Sequence, residues 1–343
     1  MVASQMLMIV GNRGGTNVGE SFWRASIALG WKVAFRDARQ AYHDSVWLQR
    51  ISWRLAGHRP WRLIAFSHSI EKAAKNMRPG VLLSTGLAPI TAKVLLRLKA
   101  QDVTCLHYST DDPWNSSQRA GWFLRTLPIY DHVFTTRRSN LDDLRRIGAN
   151  ASFLPFGYDP ELFFPEQAVG EQSTPFDILF VGGADHDRAS MLREIAGSGL
   201  KLALYGDYWS RYPCLRQYSF GRADVPLLRE LTGRAAINLC LCRRANRDGH
   251  VMRTFEIAAI GGFMMAEDTI EHRELFGQEG ECVLYFKNGR EAIEKACWAM
   301  QHPNKRRRMA VAAHERIVRG PNTYRDRLQR MLALRRFDGK GAL

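Results

Sequence analysis

The feature that most constrains this chain is a repeated alternation of short apolar runs with longer amphipathic runs. Apolar runs with the length of buried strands recur through the first half: MLMIVG, WKVAF, GVLLSTG, VTCLHYST, HVFTT and ASFLPFG. A second series follows: FDILFVGG, KLALYGD, AAINLCL, FMMAED and CVLYF. Short apolar strands that alternate with amphipathic helices are typical of parallel sheets covered on both faces. The pattern therefore predicts two doubly wound α/β domains.

Length and local composition indicate where the two domains divide. At 343 residues the chain is longer than one hydrophobic core usually supports. The segment YDPELFFPEQAVGEQSTPFD is rich in Pro, Gly and acidic residues and separates the two series of strands. We therefore predict a first Rossmann-like domain over residues 1–165 and a second over residues 166–320.

The chain carries a formal net charge of +15, which can attract nucleic acid, anionic lipid or phosphorylated ligands. The basic residues are scattered, with a dense stretch over residues 325–337. In a helix this stretch would place Leu328, Met331, Leu332 and Leu334 to one side. Two alternatives remain open for it: a helix docked on its own protein, or one lying on a membrane surface.

Targeting signals and cysteine chemistry are not prominent in the sequence. No apolar run reaches the roughly 18 to 20 residues that a membrane-spanning helix needs. We expect a cytoplasmic location, with peripheral contact at the inner face of the membrane as an alternative. None of the six cysteines forms a C-x-x-C pair, so buried thiols are expected rather than a disulfide framework or a zinc site.

A glycine loop, GNRGGTNVGES, follows the first predicted strand and opens a helix. Ligands bind beyond the carboxyl ends of the strands in open α/β sheets, and glycines allow the backbone to approach them closely. The spacing matches neither the dinucleotide fingerprint nor the P-loop. Gly14, Gly15 and Asn17 either form a tight turn or line a cleft where they approach a bound phosphate or a second substrate.

The loop HYSTDDPWN follows a buried strand and contains adjacent carboxylates, Asp111 and Asp112. Adjacent residues on an extended chain point to opposite sides, so one carboxylate can face the cleft while the other bonds to backbone. A general base must lie within hydrogen-bond reach of the hydroxyl group from which it takes the proton. Either residue is a candidate base; the alternative is a structural Asp-Asp-Pro turn.

A third candidate, Arg188, lies early in a helix after the glycine turn of FVGGADHDR. A guanidinium in that position can hold a diphosphate in bidentate fashion. The alternative is a solvated arginine on the helix surface.

The most informative segment is RDGHVMRTFEIAAIGGFMMAED, in which a glycine-containing loop leads into a helix. The free N–H groups at a helix start can bind a pyrophosphate, and Arg253 can add positive charge there. Glu256 can accept two hydrogen bonds from a ribose diol. The candidate binding residues are Asp248, Gly249, His250, Arg253, Thr254 and Glu256. The alternative is an amphipathic helix with an incidental Arg and Glu.

Three segments resemble a known family: LPFGYDPELFFP, FVGGADHDR and RTFEIAAIGGFMMAEDTIEHRELF, together with the loop TDDPWN. The chain resembles glycosyltransferases of the GT-B fold. More narrowly, it is similar to the spore-maturation-protein-like glycosyltransferases, which are related to the family-four retaining enzymes. The resemblance covers most of the region from about Tyr108 to Tyr285.

The resemblance implies two Rossmann-like domains that face a cleft, with acceptor bound by the first and nucleotide sugar by the second. It also implies that a helix within residues 321–343 crosses back to the first domain. Glu256 takes the position of the glutamate that holds the donor ribose. Where the retaining relatives have another glutamate eight positions earlier, this chain has Asp248. The usual Arg and Lys pair for the diphosphate is replaced in this interpretation by Arg188 and Arg253.

The activity implied is transfer of a sugar from a nucleotide-diphosphate donor to a glycan, lipid-linked or small-molecule acceptor. The family's fold implies no metal and no cofactor, and the C-terminal resemblance implies retention of configuration. An inverting reaction would need Asp112 or Asp111 as the base. The D-x-D form of Asp185-His186-Asp187 is too short to predict a metal site.

Three alternative functions stay open at this point. The first is a sugar-nucleotide epimerase of the same fold, which would use the same cleft without an acceptor. The second is a catalytically degenerate protein that binds nucleotide sugar or glycan, an alternative kept open by Asp248. The third is a nucleic-acid-binding protein, suggested by charge alone, because no recognition helix, finger or aromatic-basic RNA motif is present.

Overall fold

The computed structural model describes residues 6–42, 45, 47, 55, 57–166 and 176–334. The chain divides into two compact units. The first comprises the described parts of Met1–Pro155 and Tyr324–Leu343, and the second those of Phe156–Thr323. The predicted boundary at residue 165 thus lies inside the second unit. The reason is local packing: Tyr158 N–H donates to Asn322 O at 3.0 Å, and Arg229 donates to Leu162 O at 3.1 Å.

The first unit contains a parallel sheet of six described strands in the order β2-β1-β3-β4-β5-β6. Its central strands are buried because helices cover both faces. The strands are β1 (Met6–Gly11), β2 (Lys32–Asp37), β3 (Val81–Thr85), β4 (Thr104–Ser109), β5 (His132–Thr135) and β6 (Ala151–Phe153). The first five described helices are α1 (Val18–Ala28), α2 (Leu63–Met77), α3 (Ala92–Lys99), α4 (Gly121–Leu124) and α5 (Leu141–Arg146).

The second unit contains a parallel sheet of five described strands in the order β11-β10-β9-β7-β8. The strands are β7 (Ile178–Val181), β8 (Leu202–Tyr205), β9 (Ile237–Cys240), β10 (Met264–Glu267) and β11 (Leu284–Phe286). The helices are α6 (His186–Ala196), α7 (Val225–Arg234), α8 (Met252–Ile260), α9 (Ile270–Phe276), α10 (Gly289–Gln301) and α11 (Pro303–Arg319). The two sheets confirm the predicted architecture.

The last described helix, α12 (Tyr324–Leu334), belongs to the first unit and packs against α1. The rings of Phe22 and Tyr324 meet edge to face, with centroids 5.2 Å apart. Leu328 and Met331 are completely buried. Of the two alternatives for this basic amphipathic stretch, the structure therefore shows the helix docked on its own protein.

Each sheet has one point at which the strand order reverses. In the first unit it lies between β1 and β3, and in the second between β7 and β9. Loops that leave the sheet in opposite directions at such a point open a crevice at the carboxyl edge, where ligands of doubly wound folds bind. The loops after these four strands are therefore where a site is expected.

The six cysteines are all free thiols, and four of them are buried as expected. The expectation of buried thiols is wrong for Cys214 and Cys297, which are exposed. Both belong to helical segments on the surface of the second unit rather than to strands. Within the described residues, no helix has the length and apolar character needed to span a bilayer.

Candidate functional site

Arg188 joins the two loops that border the crevice of the second unit. Its guanidinium donates to the carbonyl oxygen of Gly183 at 3.2 Å and to that of Leu241 at 2.7 Å. The side chain is buried, and this burial, reinforced by the charge of Arg243, lowers the pKa of Arg188. The guanidinium of Arg188 therefore donates to backbone carbonyl oxygens and does not lie on the solvated surface of the helix. Its predicted contact with a diphosphate stays a prediction.

Arg243 provides a second positive charge in this crevice and was not among the predicted residues. It lies three residues beyond the end of β9, and 45% of its side chain is exposed. Its Nε lies 4.0 Å from Asp185 Oδ2, and its backbone N–H donates to Asp248 Oδ2 at 3.1 Å. Its position in the sequence could have identified it, because Arg243 directly follows the apolar run INLCLC. That run contains β9, which lies next to the point where the strand order reverses.

A partly buried acid, Glu267, lies at the end of β10. Glu267 Oε2 accepts a 2.5 Å hydrogen bond from the backbone N–H of Cys242. Burial raises the pKa of Glu267, while that hydrogen bond and the charges of Arg244 and Arg188 oppose the shift. The loop after β9 is therefore fastened to β10, and Glu267 was also absent from the predicted set.

Asp248, Gly249 and His250 shape the loop that leads to α8. A Cβ on Gly249 would collide with the carboxylate of Glu271. His250 is fully buried; its Nε2 accepts from the backbone N–H of Phe156 at 3.1 Å, so Nδ1 carries the proton and donates to Glu271. Each of the three residues thus makes a contact with the protein itself: Asp248 through Arg243, the other two through Glu271.

The first turn of α8 is organised by Thr254. Its Oγ1 accepts from the backbone N–H of Val251 at 3.1 Å and lies 3.0 Å from His272 Nε2. Thr254 is fully buried, so its hydroxyl fixes the start of the helix from within the unit. The first N–H groups of a helix have no partner inside the helix, and they carry the positive end of its dipole.

Glu256 and Arg253 lie together in the first turn and a half of α8, where they form an ion pair. Glu256 is almost fully buried, whereas 24% of the Arg253 side chain is exposed. Burial raises the pKa of Glu256, Arg253 opposes that shift, and the carboxylate of Asp159 adds to it. The structure thus brings these two predicted residues into contact at the start of the helix.

The glycine loop of the first unit is held by its own side chains. Gly14 and Gly15 have φ values of 78° and 55°, a region that favours glycine. Glu20 accepts from Gly14 N–H at 3.1 Å, and the Asn17 amide donates to Gly14 O at 2.7 Å. A carboxylate of the protein therefore already takes the Gly14 N–H, so this group is not available to a phosphate.

The two adjacent aspartates differ sharply in environment. Asp112 is 1% exposed, and its Oδ1 accepts from Trp114 N–H and from the Asn140 amide, both at 2.9 Å. Asp111 is partly exposed and accepts from Thr110 Oγ1 at 3.2 Å. Asp112 therefore fixes the turn, while Asp111 is the more accessible carboxylate.

Solved structures with the same architecture extend over nearly the whole chain. Sucrose-phosphate synthase from Thermosynechococcus elongatus matches with a TM-score of 0.72 at 15% identity, covering 97% of this chain and 99% of that one. Anabaena HepE in complex with UDP-glucose matches with a TM-score of 0.61 at 10% identity, covering 96% and 99%. The chain has the GT-B fold.

A third structural match is a putative UDP-N-acetylglucosamine 2-epimerase from Listeria monocytogenes, with a TM-score of 0.56 at 12% identity and coverage of 100% of this chain and 99% of that one. Residues 188–333 also match a family model described as glycosyl transferase-like. No curated protein matches the sequence. The family match includes Arg188, Arg243, Arg253 and Glu256, the residues around the crevice of the second unit.

Proposed function

We propose that the protein is a glycosyltransferase that moves a sugar from a nucleotide-diphosphate donor to a hydroxyl group of an acceptor. The observation that carries the proposal is the buried Glu256 paired with Arg253 at the start of α8. Both residues lie in the region that matches the glycosyl transferase-like model. A buried carboxylate whose partner is a partly exposed arginine suits a ligand that carries a diol next to a diphosphate.

In this proposal the donor binds to the second unit. Glu256 accepts hydrogen bonds from the ribose diol, and the N-terminus of α8 holds the diphosphate together with Arg253 and Arg243. Arg188 acts as a positioning residue, since it joins the loops after β7 and β9. Asp248, at the loop before α8, contacts the donor sugar. A uridine nucleotide is the first candidate, because HepE of similar fold is complexed with UDP-glucose.

The chemistry proposed is metal-independent transfer with retention of configuration. The acceptor oxygen bonds to the anomeric carbon on the face from which the diphosphate leaves, and the bond between that carbon and the phosphate oxygen breaks. The departing phosphate takes the acceptor proton, so the reaction yields glycosylated acceptor and nucleoside diphosphate. Arg253, Arg243 and the helix dipole stabilise the negative charge that develops on the leaving group.

The acceptor is proposed to bind to the first unit, near the glycine loop of Gly14, Gly15 and Asn17. Should the reaction invert configuration, Asp111 is a better base than Asp112. Asp111 is partly exposed, whereas one oxygen of the buried Asp112 already accepts two hydrogen bonds. The acceptor is a glycan, a lipid-linked sugar or a small molecule.

The test is thermal melting of the wild-type protein and Glu256→Ala with nucleoside diphosphates and nucleotide sugars. A ligand at about 100 times its dissociation constant stabilises the folded state by roughly 2.7 kcal/mol. We expect a shift with one nucleotide that disappears in Glu256→Ala and persists in Glu230→Ala, an exposed glutamate of α7 in the same unit. A folded sample that responds to no nucleotide would contradict the proposal.

Turnover separates glycosyl transfer from epimerisation. Incubation with the stabilising nucleotide sugar and candidate acceptors should release nucleoside diphosphate in step with a new glycoside. Accumulation of an epimeric nucleotide sugar without an acceptor would indicate the epimerase instead. Donor binding without either product, across all the acceptors, would indicate a binding protein.

A further inference from the structure

The two carboxylate oxygens of Asp185, at the start of α6, have different surroundings. Oδ1 accepts from the backbone N–H of Arg188 at 2.9 Å and caps the helix. Oδ2 is buried and accepts no hydrogen bond from the described residues. It lies 3.6 Å from Arg188 Nε and 4.0 Å from Arg243 Nε. Oδ1 therefore fixes the helix start, whereas Oδ2 faces the two arginines of the crevice.

Capping alone does not require a charged residue at this position. Asparagine and serine cap helices about as well as aspartate does, and neither carries a charge. Asp187 already places a negative charge in the first turn, where the helix dipole favours one. A carboxylate oxygen that is buried without a hydrogen bond costs free energy. The cap therefore does not explain the charge of Asp185.

Negative charge is concentrated around the two arginines. Burial lowers the pKa of Arg188, and the charge of Arg243 adds to that shift. The charges of Asp185 and Asp248 oppose it. Burial raises the pKa of Glu267; the charge of Arg188 opposes that rise, whereas the charge of Asp185 adds to it. Three carboxylates thus interact with Arg188, and together they offset the positive charge of the crevice.

We propose that Asp185 weakens the binding of nucleoside diphosphate in the crevice, so that this product leaves after transfer. The inference rests on the proposed function, in which Arg243 binds the diphosphate. Because Arg243 Nε lies 4.0 Å from Asp185 Oδ2, a phosphate bound to that guanidinium comes close to the carboxylate. Two negative groups in such proximity repel each other, and more strongly where water is excluded. Asp185 therefore opposes the attraction that Arg243 provides.

The repulsion is greater for the product than for the donor. In a nucleotide sugar the terminal phosphate is esterified to the sugar, and transfer frees that phosphate. The freed phosphate has a second pKa of about 6, so above this pH it loses to water the proton taken from the acceptor. The product then carries one more negative charge than the donor. A carboxylate in the crevice therefore favours replacement of the product by new donor, a step that limits turnover in many enzymes.

The experiment is calorimetric titration of the full chain with UDP and UDP-glucose at about pH 8, above the second pKa of the terminal phosphate. GDP and GDP-mannose replace them if guanine nucleotides are the ones that stabilise the protein. Asp185→Asn keeps the cap and removes the charge. We expect it to bind UDP about ten-fold more tightly than the wild type, and UDP-glucose with a smaller gain. The gain should shrink as salt is added, because salt screens the repulsion.

The matched control is Asp187→Asn, which makes the same change in net charge two positions along the same helix. Asp187 is exposed, and its carboxylate lies 3.9 Å from His186 Nδ1. We expect this control to bind UDP as the wild type does.

Three further measurements support the comparison. Asp185→Ser, which also caps the helix, should show the same gain as Asp185→Asn, and melting establishes that each variant is folded. Uridine, which has no phosphate, should bind all the proteins equally. Stopped-flow displacement should show that UDP leaves Asp185→Asn more slowly than the wild type, since affinity changes at one site act mainly on dissociation.

Three outcomes would overturn the proposal. The first is unchanged or weaker UDP binding in folded Asp185→Asn and Asp185→Ser, which would show that the carboxylate orients Arg243. The second is an equal gain in Asp187→Asn, which would show a response to net charge alone. The third is UDP binding that requires Mg²⁺ and is lost in Asp185→Asn, which would make Asp185 a ligand of the cation.

Failure of the proposed function gives a different result. A folded chain that binds no nucleoside diphosphate would contradict that function and this inference together. A chain that binds UDP, loses it in Glu256→Ala and gains nothing in Asp185→Asn would contradict this inference alone.

Discussion

Arg188 and Leu241 lie 53 residues apart in sequence, yet the guanidinium of one donates a 2.7 Å hydrogen bond to the carbonyl of the other. This contact joins the loop after β7 to the loop after β9. The buried Arg188 side chain therefore holds the two loops in position, and the shape of the crevice between them depends on this contact.

Replacing Arg188 should therefore act first on stability. Arg188→Ala leaves two carbonyl oxygens without their donor, and we expect the free energy of unfolding to fall by about 2 to 4 kcal/mol. Chemical denaturation measures this. Arg193→Ala, which removes an exposed arginine from the same helix, should change it by less than about 0.5 kcal/mol. Equal stability of the two variants would contradict the framework role.

Arg243 should behave in the opposite way. Its side chain is partly exposed, so Arg243→Ala should leave the melting temperature close to that of the wild type. Loss of a charge-assisted contact to the diphosphate should weaken UDP binding by about 10- to 100-fold, measured by calorimetry. Uridine without phosphate should bind both proteins equally. Arg290→Ala, at an exposed arginine of α10, is the control. Unchanged UDP affinity would exclude Arg243 from the diphosphate site.

Substitution of the two aspartates after β4 should have different effects, on protein stability for Asp112 and on the reaction for Asp111. Asp112→Ala removes the acceptor for Trp114 N–H and the Asn140 amide, which should cost about 2 to 3 kcal/mol in denaturation. Asp111→Ala should cost less than about 0.5 kcal/mol. The configuration of the product, determined by NMR, shows whether the reaction retains or inverts. If it retains, Asp111→Ala should keep its transfer activity; if it inverts, Asp111→Ala should lose that activity with the base. A stability loss in Asp111→Ala as large as that in Asp112→Ala would contradict this division.

His107 should make the first unit sensitive to acid. The ring is fully buried, and burial lowers the pKa of His107 from the ordinary value of 6.5 to about 3. Between these values the unfolded chain binds a proton that the folded chain does not, so folding weakens as pH falls. We expect the free energy of unfolding to fall by about 1.4 kcal/mol per pH unit as the pH drops below 6.5 towards 3. Above pH 6.5 this residue causes no loss of stability.

The measurement for His107 is denaturation over a pH series. His107→Gln should flatten the slope relative to the wild type, and His68→Gln, at an exposed histidine of α2, should leave it unchanged. Parallel curves for the wild type and His107→Gln would show that other groups account for the acid response.

The docking of α12 gives a prediction for the chain terminus. Leu328 is completely buried, so Leu328→Ala should lower the free energy of unfolding by about 2 to 5 kcal/mol. Arg330→Ala, on the exposed side of the same helix, should have little effect. A small effect of Leu328→Ala would mean that α12 contributes little to the first unit.

The fold was largely predictable because the spacing of apolar residues and the length of each apolar run indicate which segments are buried strands or helices. Ten of the eleven described strands fall within apolar runs identified from the sequence, and β2 extends two residues beyond its run, WKVAF. The junction was less predictable, since Pro and acidic residues mark an irregular segment without showing which unit it packs against. Tyr158 joins Thr323 through a backbone bridge, a contact between residues that are distant in sequence.

The site was predictable only where its residues are neighbours in sequence. Arg253 and Glu256 are three positions apart on a helix and meet for that reason. Arg188 turns inward because the Leu241 carbonyl oxygen of another loop lies within its reach, and the buried His250 accepts from Phe156 N–H. No local pattern reveals such distant partners. Arg243 could have been found from strand order, had the position of β9 in the sheet been known.

The chain leaves the first unit at Pro155 and returns to it at Tyr324. A ribosome therefore finishes the whole of the second unit before it makes the helix whose Leu328 and Met331 complete the core beside α1. The second unit, continuous in sequence, is free to fold during synthesis, whereas the first begins earlier and is completed later. A fragment that stops before Tyr324 would expose the α1 face to aggregation, so expressing the two halves separately requires joining α12 to the first by a linker.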